Sequence, residues 1–251
     1  MMKTRKQLKT EARELLAGNW LTAIELNIVP VVCQVITGVV ITGMVAGLTY
    51  YFTRINPVMP GDFSAEVGSN NSASSGQSFI GDLITTYLLL SVDFALIDWV
   101  RTKVATKTPF KDAFQTISGK YILPVFVLYV IQRVLVFLWS LLLFIPGVIK
   151  AFAYSQTFYI YKDVKEQGGD TDRSYFDYVT MSRQLMNGHK WELFVLRLSF
   201  LGWDILGVLT AGIGFIWITP YKQMTYMNYY VSLVGDRYHE WGQQADVAEI
   251  K

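Results

Sequence analysis

Six ionisable side chains lie inside long apolar stretches of this sequence, where charge is rare and usually functional. They are Glu25, Asp93, Arg133, Arg197, Asp204 and Lys222. Acids and bases at this depth could bind an anionic substrate or form a polar path between helices. Alternatively, they could pair with one another and fix the order of the helices, while the longest side chains reach out to the interface. Under the first interpretation these residues are the candidate binding site, and under the second they are structural.

The spacing of these residues predicts which of them meet. With a helical rise of about 1.5 Å per residue, Arg197 lies roughly 10 Å inside its apolar run. Glu25 and Asp93 lie at a similar depth in their own runs, so we expect a pair or triad among the three. In the last two runs, antiparallel pairing about the Ala-Gly-Ile-Gly sequence brings Asp204 opposite Lys222.

Arg133 differs from the other five because its expected neighbours include no obvious carboxylate. It lies near the middle of the third apolar run, at the level of Gln156 and Phe158 on the following run. We therefore expect its long side chain to snorkel to the interface unless it belongs to a substrate site.

Residues that could support catalysis or bind metal are few. The two histidines, His189 and His239, lack ligand spacing to another His, Cys or carboxylate cluster. The one cysteine, Cys33, lies in the first apolar run, which excludes a disulfide framework and a cysteine-based metal site. Asp170 and Asp172 are typical of helix capping. The sequence therefore predicts no enzyme activity, no catalytic residues, no metal and no cofactor.

Long apolar runs must position the six charges. Hydrophobic residues make up 52% of the 251-residue chain, and a membrane span needs roughly 20 mainly apolar residues to cross about 30 Å of hydrocarbon. Six runs qualify, the fourth being short: 20–52, 79–100, 121–144, 148–161, 191–209 and 213–234. We expect an all-α, polytopic membrane protein with six transmembrane helices.

Lysine and arginine are distributed unevenly between the connections. Five of these cations lie in each of the segments 3–13, 101–120 and 162–190, whereas the intervening connections contain only Arg54 and, near a helix end, Lys150. This is the positive-inside pattern, which predicts a multi-pass plasma-membrane protein with its N- and C-termini in the cytoplasm. The net charge of +2 is too small to indicate a nucleic-acid partner.

The chain also contains an internal repeat with three units in a single membrane domain, 1–251. The units cover 4–105, 109–162 and 172–234, with a flexible outer loop at 53–78 and a cytoplasmic tail at 235–251. Each unit has a cytoplasmic interfacial amphipathic helix, a glycine corner with an aromatic residue, and a two-span hairpin. The expected amphipathic helices lie at 4–17, 109–121 and 171–187.

The glycine corners have a physical rationale, because glycine lets the chain turn from the membrane plane to its normal. A following Trp or Tyr would anchor the turn at headgroup depth. The corner residues are Gly18 and Trp20, Gly119 and Tyr121, and Gly188, His189, Lys190 and Trp191. We expect His189 to act as an interfacial hydrogen-bonding group rather than as a ligand.

Several motifs resemble the domain-of-unknown-function family 975. They are GNW near the start, IPG at the middle hairpin, and SRQLMNGHKWELFVLRLSFLGW at 182–203, followed by TAGIG at 210–214 and PY at 220–221. Ala211 is one departure, since a larger aliphatic residue is more typical there. The resemblance implies a multi-span integral membrane protein of Gram-positive bacteria, and it implies no activity.

Two functional hypotheses remain open. The favoured one is a non-enzymatic membrane module that binds lipid, including anionic lipid, or an unknown membrane protein partner through its interfacial helices. The alternative is a small transporter with a charged site between the hairpins, since repeats and midplane charges are typical of transporters. A wet cavity lined by the six charges would favour transport, and a closed core of paired charges would favour the binding module.

Overall fold

The computed structural model of the chain describes residues 3–32, 43, 44, 47, 71–142, 144–168, 173–235, 237 and 241. Every regular element among these residues is helical, so the predicted all-α class is confirmed. The predicted first span, 20–52, is seen only in part. Most of the predicted outer loop 53–78 and of the tail 235–251 lies outside the described residues.

Most of the described residues belong to helices. In chain order they are α1 (Arg5–Leu16), α2 (Trp20–Val32), α3 (Asn71–Thr102), α4 (Pro109–Asp112), α5 (Ile122–Leu142), α6 (Phe144–Tyr154), α7 (Thr157–Glu166), α8 (Tyr175–Leu185), α9 (Lys190–Leu198), α10 (Leu201–Leu209) and α11 (Phe215–Val234). The start of α3 lies inside the predicted outer loop, because an established helix extends at low cost even through a polar sequence.

Two helices in the described part of the chain are long and apolar enough to cross a membrane. They are Gly81–Thr102 and Ile122–Leu141, and the bent pair α1 and α2 is a third candidate. The first is 61% buried within the protein and the second only 17%. These helices indicate association with a membrane.

Two of the other predicted spans are broken helices. The predicted span 148–161 divides at Ser155 and Gln156, between α6 and α7, and the predicted span 191–209 divides at Ser199 and Phe200, between α9 and α10. Residues 163–166, which the sequence assigned to a loop, instead complete α7. The predicted sixth span forms one helix, α11, but contains Pro220 and several polar residues.

The amphipathic helix α1 packs on protein rather than on a free membrane surface. Thr4 and Gln7 form its N-terminal capping box, and Leu8, Ala12 and Leu16 are buried against the rest of the molecule. Its main neighbour is the C-terminal part of α11, where Asn228 Nδ2 donates to the Leu8 carbonyl at 3.2 Å. The expectation that the apolar side of α1 enters the headgroup region is therefore wrong, because α11 covers that side.

The first and third glycine corners share one geometry, but the middle one differs. Gly18 and Gly188 have φ values of +80° and +83°, in the left-handed region that favours glycine, whereas Gly119 does not. After Gly18 the chain bends by 98° between α1 and α2. The sequence thus identified two corners whose backbone requires glycine.

The amphipathic helix predicted at 109–121 is reduced to the single turn α4 and a 3₁₀ turn at Gln115–Ile117. The reason is a set of side-chain hydrogen bonds that hold this segment against α3. The buried Thr116 hydroxyl bonds to the Tyr87 carbonyl at 2.7 Å and lies 2.6 Å from the Ser91 hydroxyl. Such bonds compete with a continuous helix.

The molecule has a buried zone and an apolar zone. The C-terminal half of α3 is mostly buried, with Phe94, Leu96 and Ile97 fully buried among α7, α11 and their neighbours. In contrast, Leu141 and Leu209 are 74% and 75% exposed at the other ends of α5 and α10. Large exposed apolar side chains of this kind are expected on a surface in contact with lipid.

Candidate functional site

A buried carboxylate, Asp163, connects three helices. Its two oxygens accept from both terminal nitrogens of Arg101, at 2.6 and 2.5 Å, in a bidentate pair. The Tyr230 hydroxyl donates to the same carboxylate at 2.5 Å. The Asp163 side chain is fully buried and that of Arg101 is 18% exposed. This group joins the ends of α3, α7 and α11.

The neighbouring residue, Lys162, forms a second link between α7 and α3. Its ammonium group is fully buried, pairs with Asp98, and lies 2.8 Å from Glu166. The adjacent residues Lys162 and Asp163 on α7 therefore bind two residues one turn apart on α3. In each pair the α7 charge is opposite to the α3 charge. The two ion pairs therefore join α7 to the C-terminal end of α3 at adjacent positions.

The predicted triad of Glu25, Asp93 and Arg197 is present only in part. Arg197 lies within electrostatic range of Asp93, whose carboxylate accepts from the Tyr159 hydroxyl at 2.8 Å. The Arg197 guanidinium also lies over the Phe152 ring, 5.1 Å from its centroid. Glu25 is instead exposed on α2 and forms no ion pair with any described residue. Ala23 and Asn27, two positions away on either side, are buried, so Glu25 lies on the opposite, exposed face of α2.

The predicted pair between Asp204 and Lys222 is present. The Lys222 ammonium group lies 2.9 and 2.8 Å from the two carboxylate oxygens. Both side chains are about one-third exposed, at 30% and 32%. The pair connects α10 and α11 across the turn at 210–214.

Arg133 has a carboxylate partner that spacing along the hairpin did not identify. It forms an ion pair with Asp82 near the start of the apolar part of α3, and the Tyr129 hydroxyl donates to the same carboxylate at 2.5 Å. The expectation that Arg133 lacks a carboxylate is wrong, because its partner lies on α3 and not on the following apolar run, 148–161. The Arg133 side chain remains 59% exposed.

The aromatic residues of the three corners occupy different environments. Trp20 is partly buried against the core, Tyr121 is buried, and Trp191 is 71% exposed and stacks on Phe194. His189 Nδ1 lies 2.9 Å from Glu192, and its backbone carbonyl accepts from the Tyr229 hydroxyl. Among the described residues, no cluster of three or more His, Cys, Asp or Glu side chains could hold a metal ion.

A basic cleft lies where α6, α8 and the third corner meet. It has a volume of about 330 Å³, and its polar lining consists of Lys150, Thr180, Arg183, Gln184, Asn187 and Lys190. The sequence assigned Lys150 to the outer end of a hairpin and the other two cations to the cytoplasmic side. The short helix α6 instead places Lys150 beside them, because its break at Ser155 lies against Ser182 on α8.

Sequence reasoning missed most of the residues that form these two groups. The sequence places Arg101 and Lys162 in basic connections and indicates no role for Asp163, because their partners lie more than 60 residues away in the chain. The signal that could have found them is composition. Asp98 and Arg101 are one helical turn apart and carry opposite charges. Lys162 and Asp163 carry the two complementary charges.

A model of the family described as "Protein of unknown function (DUF975)" matches residues 1–167 and 142–237. The two matches cover most of the chain, and the family is the one that the sequence motifs resemble. Searches of the curated proteins and of the solved structures found no match.

Proposed function

The chain belongs to the DUF975 family of proteins of unknown function, and we propose that it is a non-enzymatic membrane protein that binds lipid. In this proposal it crosses the plasma membrane six times, in three hairpin units, with both termini in the cytoplasm. The single observation on which the proposal rests is that candidate intramembrane charges form the pairs Asp204–Lys222 and Arg133–Asp82, while many large apolar side chains are exposed.

Residues that follow or end three of the predicted spans meet at one end of the bundle. Arg101 follows the second predicted span, Asp163 follows the fourth, and Tyr230 lies near the end of the sixth. These three residues bond to one another. The N-terminal segment reaches the same end, because the Lys3 amide donates to the Ser232 hydroxyl at 3.3 Å. These contacts require the N-terminal segment, Arg101, Asp163 and Tyr230 to lie on the same side of the membrane. An even number of crossings between one and the next meets that requirement. The many cations here favour the cytoplasmic side.

Side chains of α1 and α8 bind backbone groups near the two helix breaks. Lys9 donates to the Ser199 carbonyl at 3.3 Å, and the Ser182 hydroxyl bonds to the Ala153 carbonyl at 2.8 Å. Helix breaks in a bilayer are tolerated where neighbouring groups satisfy the freed backbone in this way. The length of α5, 21 residues, corresponds to about 30 Å, which matches the hydrocarbon core.

The state of the charges favours a binding module over a transporter. Asp204 pairs with Lys222, Arg133 pairs with Asp82, and Asp93 bonds to Tyr159. Four surface clefts in the described part of the chain have walls that contain none of these paired or hydrogen-bonded side chains. One cleft of about 390 Å³, between α3 and α5, is entirely apolar and suits contact with acyl chains.

The proposal is tested by purifying the full chain in a mild detergent and measuring retained lipid by native mass spectrometry. We expect bound phospholipid that survives dilution and is enriched in anionic classes relative to the membrane of origin. The transporter alternative is tested in parallel with proteoliposomes. Solute flux that is abolished by Arg197→Gln, together with no retained lipid, would overturn the binding function.

A further inference from the structure

We propose that the cleft between α6, α8 and the third corner binds the phosphate group of an anionic lipid headgroup. The cleft is defined by the cations Lys150, Arg183 and Lys190 together with the amides of Gln184 and Asn187. This inference rests on the proposed lipid-binding function and identifies its site and ligand class.

The first argument is uncompensated charge. Lys150 lies within electrostatic range of both Arg183 and Lys190. In the part of the chain that the structure describes, none of the three cations forms an ion pair. By contrast, Lys162, Lys222 and Arg133 each have a carboxylate. Three like charges around one cleft repel each other, and a bound anion removes that repulsion.

The second argument is the match between the lining groups and a phosphate. Arg183 offers a planar fork that can donate two parallel hydrogen bonds to phosphate oxygens, and the lysines add compact charges. The amides of Gln184 and Asn187 are further donors in the lining, which contains no carboxylate. The Lys150 ammonium group is held 4.2 Å from the centroid of the Trp139 ring.

The third argument is the set of exposed apolar side chains beside the cleft, which favours a lipid over a soluble ion. Val148 and Ile149, immediately before Lys150, are exposed apolar residues on α6. Trp191, immediately after Lys190, is 71% exposed. The cleft therefore has an apolar surface on one side and the aromatic corner on the other. A headgroup phosphate with its acyl chains against α6 satisfies both surroundings.

The test uses the full-length protein in neutral detergent, with phosphatidylglycerol, phosphatidylcholine or inorganic phosphate as probe. Thermal unfolding and native mass spectrometry report binding. We expect phosphatidylglycerol to raise the Tm of the unmodified protein, and phosphatidylcholine and inorganic phosphate to leave it unchanged. Arg183→Gln, Lys150→Gln and Lys190→Gln should each weaken phosphatidylglycerol binding by about tenfold, in line with the loss of one charge-assisted hydrogen bond.

Two control variants sharpen this test. Lys111→Gln removes an equal charge from an exposed position on α4, and should bind phosphatidylglycerol like the unmodified protein. Arg183→Lys keeps the charge but loses the fork, and should give intermediate affinity. If Lys111→Gln weakened phosphatidylglycerol binding as much as the cleft variants do, the cleft would not be the binding site. Unchanged phosphatidylglycerol binding in all three cleft variants would lead to the same conclusion. A Tm rise with inorganic phosphate that the cleft variants abolish would overturn the lipid assignment. Absence of retained lipid in the unmodified protein would instead contradict the proposed function.

Discussion

Replacing Asp163 with Asn tests whether the buried ion pair maintains the packing of α3, α7 and α11. The substitution keeps the side-chain shape but leaves the Arg101 guanidinium, which is 18% exposed, without its bidentate partner. Removing one member of a buried pair costs about 3–5 kcal/mol. For a chain of this size each 1 kcal/mol shifts the Tm by about 2–4 °C, so Asp163→Asn should lower the Tm by roughly 6–20 °C.

The matched control is the same carboxylate-to-amide change at Glu11, whose ion pair with Lys3 is about one-third exposed. Such a pair contributes about 0–1 kcal/mol, so Glu11→Gln should change the Tm by at most a few degrees at neutral pH. Tryptophan fluorescence during heating in detergent measures both variants, since the chain contains seven tryptophans.

A double variant separates the loss of the pair from the loss of packing. Arg101→Met with Asp163→Leu removes both charges and should recover part of the stability that each single change loses, because no unpaired charge stays buried. Equal Tm shifts for Asp163→Asn and Glu11→Gln would refute this reasoning. So would a double variant whose loss equals the sum of the two single losses.

Three further predictions concern the corners, α1 and the last hairpin. Gly188→Ala should destabilise by about 1–2 kcal/mol because of its positive φ, whereas Gly119→Ala, in open space, should change the Tm little on heating. Burial raises the pKa of the Glu11 carboxyl, but hydrogen bonds from Lys3 and Asn228 outweigh it and leave the pKa below its usual value. The resulting stability is present above the unfolded pKa of about 4.3 and is lost as pH falls through the lower folded pKa. Tm measured from pH 6 to pH 3 should therefore fall more steeply in the unmodified protein than in Glu11→Gln. Finally, a double-mutant cycle of Asp204→Asn and Lys222→Met should give a coupling energy of about 0.5–3 kcal/mol in chemical unfolding, and zero coupling would exclude the pair.

The sequence predicted features that depend on local pattern. The long apolar runs predicted α3 and α5, and glycine after an amphipathic segment identified the corners at Gly18 and Gly188. The pair between Asp204 and Lys222 was predictable because only a short turn separates their helices, which fixes the register. In each case the determining residues lie close together in the chain.

The features that the sequence did not predict depend on contacts between distant segments. The helix break at Ser155 coincides with bonds to Ser182, which local propensity does not reveal. Lys150 belongs to the basic cleft for the same reason, since only tertiary packing brings α6 beside α8. Likewise, the covered side of α1 is identical in pattern to one that lies on a membrane, and only the position of α11 distinguishes them.

The central claim is that successive hairpins return the chain to one cytoplasmic end, where Arg101 meets Asp163. Cysteine accessibility in intact cells tests it most directly, in a Cys33→Ser background with single cysteines at Gly68, Lys107, Gly168 and Ile213. We expect an impermeant thiol reagent to label the Gly68 and Ile213 positions from outside, and the Lys107 and Gly168 positions only after permeabilisation. Labelling of the Gly68 and Lys107 positions from the same face would contradict this arrangement.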